Sequence, residues 1–210
     1  MNLNIPNFGE RNSSRLPNYH RYDINLTLQP KKRKGKVERN TKETKIRCEI
    51  NLDGTGQSKI STQIGFFDHM LELLSHHSLI DIDIKCEGDT NVDLHHSVED
   101  TAYAIALAIN KALDDKKGIN RYGFSYVPMD ECLSRCVIDL SGRPELVWNV
   151  NLGLKKIGEM DTELFHEFFK AFSNESKCNL HIENLYGKNN HHIIESVSYT
   201  HLTLPTMWYV

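Results

Sequence analysis

A histidine pair followed three residues later by a glutamate constrains this chain more than any other feature. It occurs as His95-His96-Ser97-Val98-Glu99 and returns as His191-His192-Ile193-Ile194-Glu195. With 11 His and 15 Glu in 210 residues, His-His-x-x-Glu is expected by chance ~0.04 times per chain, and twice about once in a thousand. Two copies therefore imply a duplicated fold carrying two metal-type sites. If each copy opens a helix, the first His and the Glu are four residues apart and the second His and the Glu three apart, so all lie toward one face. Adjacent helical histidines diverge by ~100°, so one pair can serve two metals while its Glu reaches either. Mixed imidazole and carboxylate donors suit Mn²⁺, Fe²⁺ or Zn²⁺ better than Ca²⁺.

The chain is long enough for one domain or two closely packed halves. A net charge of −3 offers no global attraction for nucleic acid or an anionic membrane, so a small-molecule partner is expected. Five scattered cysteines, Cys48, Cys86, Cys132, Cys136 and Cys178, lack paired zinc spacings and fit free thiols in a reducing, cytoplasmic setting. Neither a long apolar run nor a secretory h-region is present, so no transmembrane or export segment is expected.

Residues 1–35 are polar, with a basic run that starts at Lys31, and read as a disordered extension; Pro30 to Lys34 has the composition of a nuclear import signal, but a solvated charge run is the simpler reading. Alternation at Thr44, Ile46, Cys48, Ile50 and Leu52, a turn at Asp53-Gly54-Thr55-Gly56, and renewed alternation at Ile60, Thr62 and Ile64 predict a β-hairpin. Phe66 to His76 reads as an amphipathic helix, Leu79 to Cys86 as a strand, and His95 to Leu113 as a helix capped by Asp93 or Leu94 and stopped at Lys116-Lys117-Gly118. Half two repeats the plan: strands at Tyr122 to Asp130, Leu133 to Leu140 and Leu146 to Asn151, a helix capped by Asp161 or Thr162, a strand at Cys178 to Tyr186, and a helix opening at His191. The expected fold is α+β: two duplicated halves, about 36–119 and 120–195, each hairpin, helix, strand, helix, with helices layered on a mostly antiparallel sheet. Overlaying the halves sets His69 roughly against His166 or Glu167.

Each further polar residue has a plain alternative. His69 could be a surface helix histidine, and His76, His77, His166 and His181 surface or structural ones. Arg121 and Arg143 border turns, solvated or placed for a phosphate or carboxylate. Glu43 reads as a strand carboxylate and Asp130-Glu131 as an edge-strand charge pair, while Asp100 could orient His96.

The sequence resembles the imidazoleglycerol-phosphate dehydratase family over about residues 37–195. The matching stretches are Arg39-Asn40-Thr41-Lys42-Glu43-Thr44, Asn51-Leu52-Asp53-Gly54-Thr55-Gly56, Phe66-Phe67-Asp68-His69-Met70-Leu71, His95 to Asp100, Arg121-Tyr122-Gly123, Asp130 to Arg135, Asp139 to Pro144 and Gly187 to Glu195. The resemblance implies a hydro-lyase of histidine biosynthesis with two Mn²⁺ per active site, in a large symmetric homo-oligomer whose sites lie between subunits. The implied metal ligands are His69, His95, His96, Glu99, Glu167, His191, His192 and Glu195, with Glu167 preferred to His166 because the family has His or Glu before Phe-Phe. Glu43, His69, His77, Arg121 and Arg143 fall at substrate positions, and Glu43, Glu99 and Glu195 are the catalytic carboxylates, Glu43 being the candidate base or acid. Metal at the imidazole ring of the substrate would make that ring an electron sink for loss of a weakly acidic carbon-bound proton.

Residues 196–210, β-branched, aromatic and broken by Pro205, look like translated adaptor sequence. They are expected to be a non-native tail in place of the family's C-terminal helix and Lys-bearing phosphate segment, compromising assembly and turnover. Residues 1–35 resemble no part of the family, and nothing in them supports the phosphatase domain to which some relatives are fused. The rival readings are a non-catalytic His/Glu metal-binding module and a metallohydrolase.

Overall fold

In a computed structural model of the chain, residues 32–153 and 155–202 are described. Residues 1–31, which hold only the first residue of the basic run, and the stretch from residue 203 onward lie outside them. Half one comprises β1 (Lys34–Asn40), β2 (Thr44–Asn51), β3 (Ser58–Ser61), α1 (Gly65–Ser78), β4 (Asp81–Gly88) and α2 (His95–Leu113). Half two comprises β5 (Tyr122–Met129), β6 (Cys132–Asp139), β7 (Glu145–Asn149), a small hairpin of β8 (Lys156–Ile157) and β9 (Met160–Asp161), then α3 (Glu163–Ser176), β10 (Asn179–Tyr186) and α4 (Asn190–Leu202).

The duplication expected from the two motifs is present in the topology. One sheet has the order β1-β2-β4-β3 and the other β5-β6-β10-β7. In each, the inner pairs are antiparallel and the outermost strand, β3 or β7, runs parallel to its neighbour. That parallel pairing requires a crossover, which α1 and α3 supply.

The sheet differs from the sequence reading at its first hairpin. Thr44 to Leu52 does not pair with the strand after Gly56. The hairpin is β1–β2, and β4 lies between β2 and β3. β1 escaped detection because its inward positions include Gly35 and the partly exposed Arg39, leaving Val37 as its one buried large apolar side chain. Lys34 and Gly35 thus begin the sheet instead of ending an extension. The other differences lie at helix ends: α2 stops at Leu113, with Asp114 at a positive φ of 53°, before the Lys116-Lys117-Gly118 stop. The helix opened by His191-His192 continues past Glu195 to Leu202, with Ser196 and Val197 fully buried.

The core lies between helices and sheets. Helix α2 packs on β1 and β2, and α4 packs on β5 and β6. Helices also cross between halves, α2 against α3 and α1 against α4. Ala102, Ala104, Ile105, Ala106 and Ala108 are buried on α2, and the small size of the alanines lets strand and helix approach closely. At Gly35 the approach is closest: a methyl group there would run into the backbone carbonyl of Ala108. Because both sides of that contact are backbone, Gly35→Ala is expected to destabilise the fold by about 1–3 kcal/mol, read as a lowered thermal midpoint with unchanged far-UV circular dichroism at 20 °C.

Candidate metal centre

Helix packing between the halves brings His69 of α1 onto α4. His191 Nε2 lies 3.2 Å from Glu195 Oε1, and His69 Nε2 lies 3.7 Å from the same oxygen. Two imidazole nitrogens from different helices thus converge on one carboxylate, which is 13% exposed while both rings are about half exposed. The Phe66 ring packs 5.4 Å from His191 and limits its rotation. The donors are two nitrogens and one oxygen, the chemistry that suits a first-row divalent cation.

On α2 the duplicate motif sets His95 Nε2 3.8 Å from Glu99 Oε2. Glu167 stands on α3, the helix packed on α2. Its carboxylate accepts from His166 Nδ1 at 3.1 Å and lies 3.5 Å from Lys170 Nζ. His166 instead rests its ring against Trp148.

The second histidine of each motif is held differently. His96 Nδ1 is 3.2 Å from Asp89 Oδ1, and His192 Nδ1 is 2.8 Å from Glu131 Oε2. The Asp89 hydrogen bond raises the pKa of His96 above the ordinary imidazole value. Glu131 does the same for His192, whose hydrogen bond, with the backbone N–H of Asn189, holds the Glu131 carboxylate well below the usual range. Among the described residues, the group of three ligand-type atoms that all lie within 4.8 Å of one another is Glu131, Cys132 and His192. Glu131 is already engaged there, since its Oε1 accepts the N–H groups of Lys188 and Asn189.

Several expectations change here. Asp100 does not orient His96; it is buried, accepts from Arg39 at 2.7 Å and from the Thr44 hydroxyl at 2.5 Å, and ties the β1–β2 hairpin to α2. Glu131 is no edge-strand charge but part of the tight β5–β6 turn, where Asp130 has φ 47°. Glu43 lies in the β1–β2 turn, not in a strand. Its backbone carbonyl accepts the Asp89 N–H at 3.1 Å, and its carboxylate is near enough to His96 to act on that ring's charge. The helix-start signals hold in a shared form: Asp93 accepts the His95 N–H and Asn189 the His191 N–H, each at 3.0 Å. Asp89 and Glu131 went unrecognised because each is joined to its histidine only by folding, with no spacing signal of its own.

The substrate-type residues divide. Arg121 donates through Nε and Nη2 to Asp139 at 2.6 and 2.9 Å, and Arg143 points toward the same carboxylate at 3.9 Å. They meet at the far end of β6 from His192; Cys132 and Asp139 bound that strand, roughly 23 Å apart at ~3.3 Å per residue. His77, near the end of α1, packs against His76, and burial followed by the neighbouring imidazole lowers its pKa.

Fold and site together define a duplicated α+β protein in which each half carries an equivalent His-His-x-x-Glu helix. The sequence model of imidazoleglycerol-phosphate dehydratase matches residues 62–200. The chain is 55% identical over 164 residues to the imidazoleglycerol-phosphate dehydratase of Agrobacterium fabrum, covering 78% of this chain and 83% of that protein. It is 54% identical over 165 residues to that of Hahella chejuensis, with 79% and 84% covered. The crystal structure of the Staphylococcus aureus enzyme superposes with a TM-score of 0.75 at 36% identity, over 83% of this chain and 96% of that one. The Pyrococcus furiosus enzyme superposes with a TM-score of 0.68 at 28% identity, over 81% and 91%. The chain belongs to the imidazoleglycerol-phosphate dehydratase family.

The Asp100 anchor gives a stability test. Asp100→Ala leaves the Arg39 guanidinium and the buried Thr44 hydroxyl without their acceptor and is expected to cost about 2–3 kcal/mol, measured as a lower urea midpoint.

Proposed function

We propose that this chain removes water from imidazole glycerol phosphate to give imidazole acetol phosphate, in the cytoplasm, using two Mn²⁺ per site and as a homo-oligomer with sites between subunits. The observation that carries this reading is the convergence of His69, His191 and Glu195 from two helices into a nitrogen-and-carboxylate donor set. The residues that would hold the two ions are His69, His95, His96, Glu99, Glu167, His191, His192 and Glu195. Bound Mn²⁺ would supply Lewis-acid stabilisation of negative charge developing on the imidazole ring. Five free, buried cysteines support the cytoplasmic reading, and among the described residues no helix is long and apolar enough to cross a membrane.

In the reaction hydroxide leaves the carbon beside the ring and a proton leaves the next carbon, so one water is lost. The resulting enol rearranges to the ketone. Glu43, in the β1–β2 turn, would take that proton or protonate the departing hydroxide. Arg121 and Arg143 are the phosphate ligands, and a phosphate there competes with Asp139 for the guanidinium donors. The distance between these arginines and His192 is far longer than a three-carbon phosphate carrying one ring, which supports a site completed by another copy.

The outer sheet faces support self-association. On the first sheet the outward side chains are charged and mutually paired, Lys36 and Arg47 with Glu49 and Lys85 with Glu87. On the second, Tyr122, Phe124, Tyr126, Val137 and Val147 are exposed, Phe124 at 72%, and Phe124 lies directly across from Val137. An apolar patch of this kind marks an interface.

Glu43→Gln is expected to lower turnover by at least a thousandfold while bound manganese, measured by plasma mass spectrometry, is retained. His192→Ala is expected to lose manganese as well as activity. Full activity in either purified variant contradicts the assignment. Phe124→Glu is expected to convert the assembly to smaller species in sedimentation velocity.

A further inference from the structure

The two halves use their hairpin-turn carboxylates differently. Glu43 in the β1–β2 turn and Glu131 in the β5–β6 turn occupy equivalent places in the duplicated topology. Glu131 contacts the second histidine of its own half, and Glu43 is joined through its backbone carbonyl to Asp89, the residue that contacts the second histidine of the other half. Glu131 is fully engaged, its Oε2 on His192 Nδ1 and its Oε1 on the N–H groups of Lys188 and Asn189. In half one the corresponding contact to His96 Nδ1 is made by Asp89, in the loop between β4 and α2, through both carboxylate oxygens at 3.2 and 3.3 Å.

We propose that Asp89 and Glu131 are positioning residues that fix His96 and His192 as the Nδ1–H tautomer with Nε2 bare, and that Asp89 thereby leaves Glu43 free. A carboxylate facing Nδ1 accepts a hydrogen bond and cannot donate one, so the ring proton is held on Nδ1 and the lone pair on Nε2 is presented as a metal donor. At His192 the Glu131 oxygen is within hydrogen-bond distance of Nδ1 at 2.8 Å, whereas Asp130 Oδ2 lies 3.6 Å from Nε2. The first histidines, His95 and His191, are turned the other way, with their Nε2 atoms toward Glu99 and Glu195 on their own helices. The duplicated site is therefore asymmetric: one hairpin carboxylate orients a ring, while its counterpart stays available for proton transfer. This inference rests on the metal-dependent reading above.

Glu131→Gln and Asp89→Asn test it. In Glu131→Gln the side-chain amide oxygen can still accept from Lys188 and Asn189, so the loop before α4 stays clamped. The amide nitrogen then faces Nδ1 of His192 and favours the Nε2–H tautomer, which cannot bind metal through Nε2. The expected result is a 10–100-fold loss of Mn²⁺ affinity in each variant, measured by electron paramagnetic resonance of free Mn²⁺, with thermal midpoints of the metal-free proteins near wild type. In metal-free, ¹⁵N-histidine-labelled protein at alkaline pH, magic-angle-spinning NMR is expected to show His96 and His192 as Nδ1–H in the wild type, with the ring facing the altered residue switched in each variant. Wild-type rings protonated on Nε2, or variants with unchanged Mn²⁺ affinity, overturn the proposal. A wild type that binds no Mn²⁺ overturns the metal reading itself, and the tautomers of the metal-free protein still decide what Asp89 and Glu131 do.

Discussion

The site depends on one packing constraint: the helices of each half rest on those of the other. Because α1 meets α4 and α2 meets α3, a ligand-type residue on the first helix of one half faces the His-His-x-x-Glu helix of the other. His69 can then reach Glu195, although the two are 126 positions apart in sequence. Neither half alone could bring those donors together. Small side chains on α2 keep strand, helix and opposite helix close, so the constraint on the centre is also a constraint on the core.

Within each motif, the division of labour follows from helix geometry. The first histidine is one turn from its glutamate and turns back toward it. The second, rotated by ~100°, points off the helix and needs a partner from elsewhere, which the β4–α2 loop supplies in one half and the β5–β6 turn in the other. The halves diverge again on their outer faces, ion-paired on one sheet and aromatic on the other. Duplication thus kept the framework and allowed separate uses for equivalent positions.

The sequence made the helices, most strands and the repeat legible, because hydrophobic period and the paired motifs report directly on local structure. It placed β3 wrongly beside β2, since a Gly-rich turn between alternating stretches looks the same whether or not another strand intervenes. β1 was hidden by Gly35 and Arg39, whose roles are close approach and an ion pair and not apolar burial. The orienting carboxylates Asp89 and Glu131 were invisible for a similar reason: a lone acidic residue in a turn carries no periodicity, and Asp100 was the nearer choice in sequence. The ending of the last helix was also misjudged, because Ser196 is a poor helix signal yet is fully buried, with its hydroxyl on Ser134.

The central claim is that this arrangement of histidines and carboxylates makes the chain a metal-dependent dehydratase. It is tested most directly by stripping the purified protein with chelator, adding Mn²⁺ back in steps, and following imidazole acetol phosphate and inorganic phosphate together from imidazole glycerol phosphate. The account predicts no product without metal, ketone formation that rises with Mn²⁺ and saturates near two ions per chain, and no phosphate release. Ketone formation at full rate in the stripped protein, or phosphate released in its place, would contradict it.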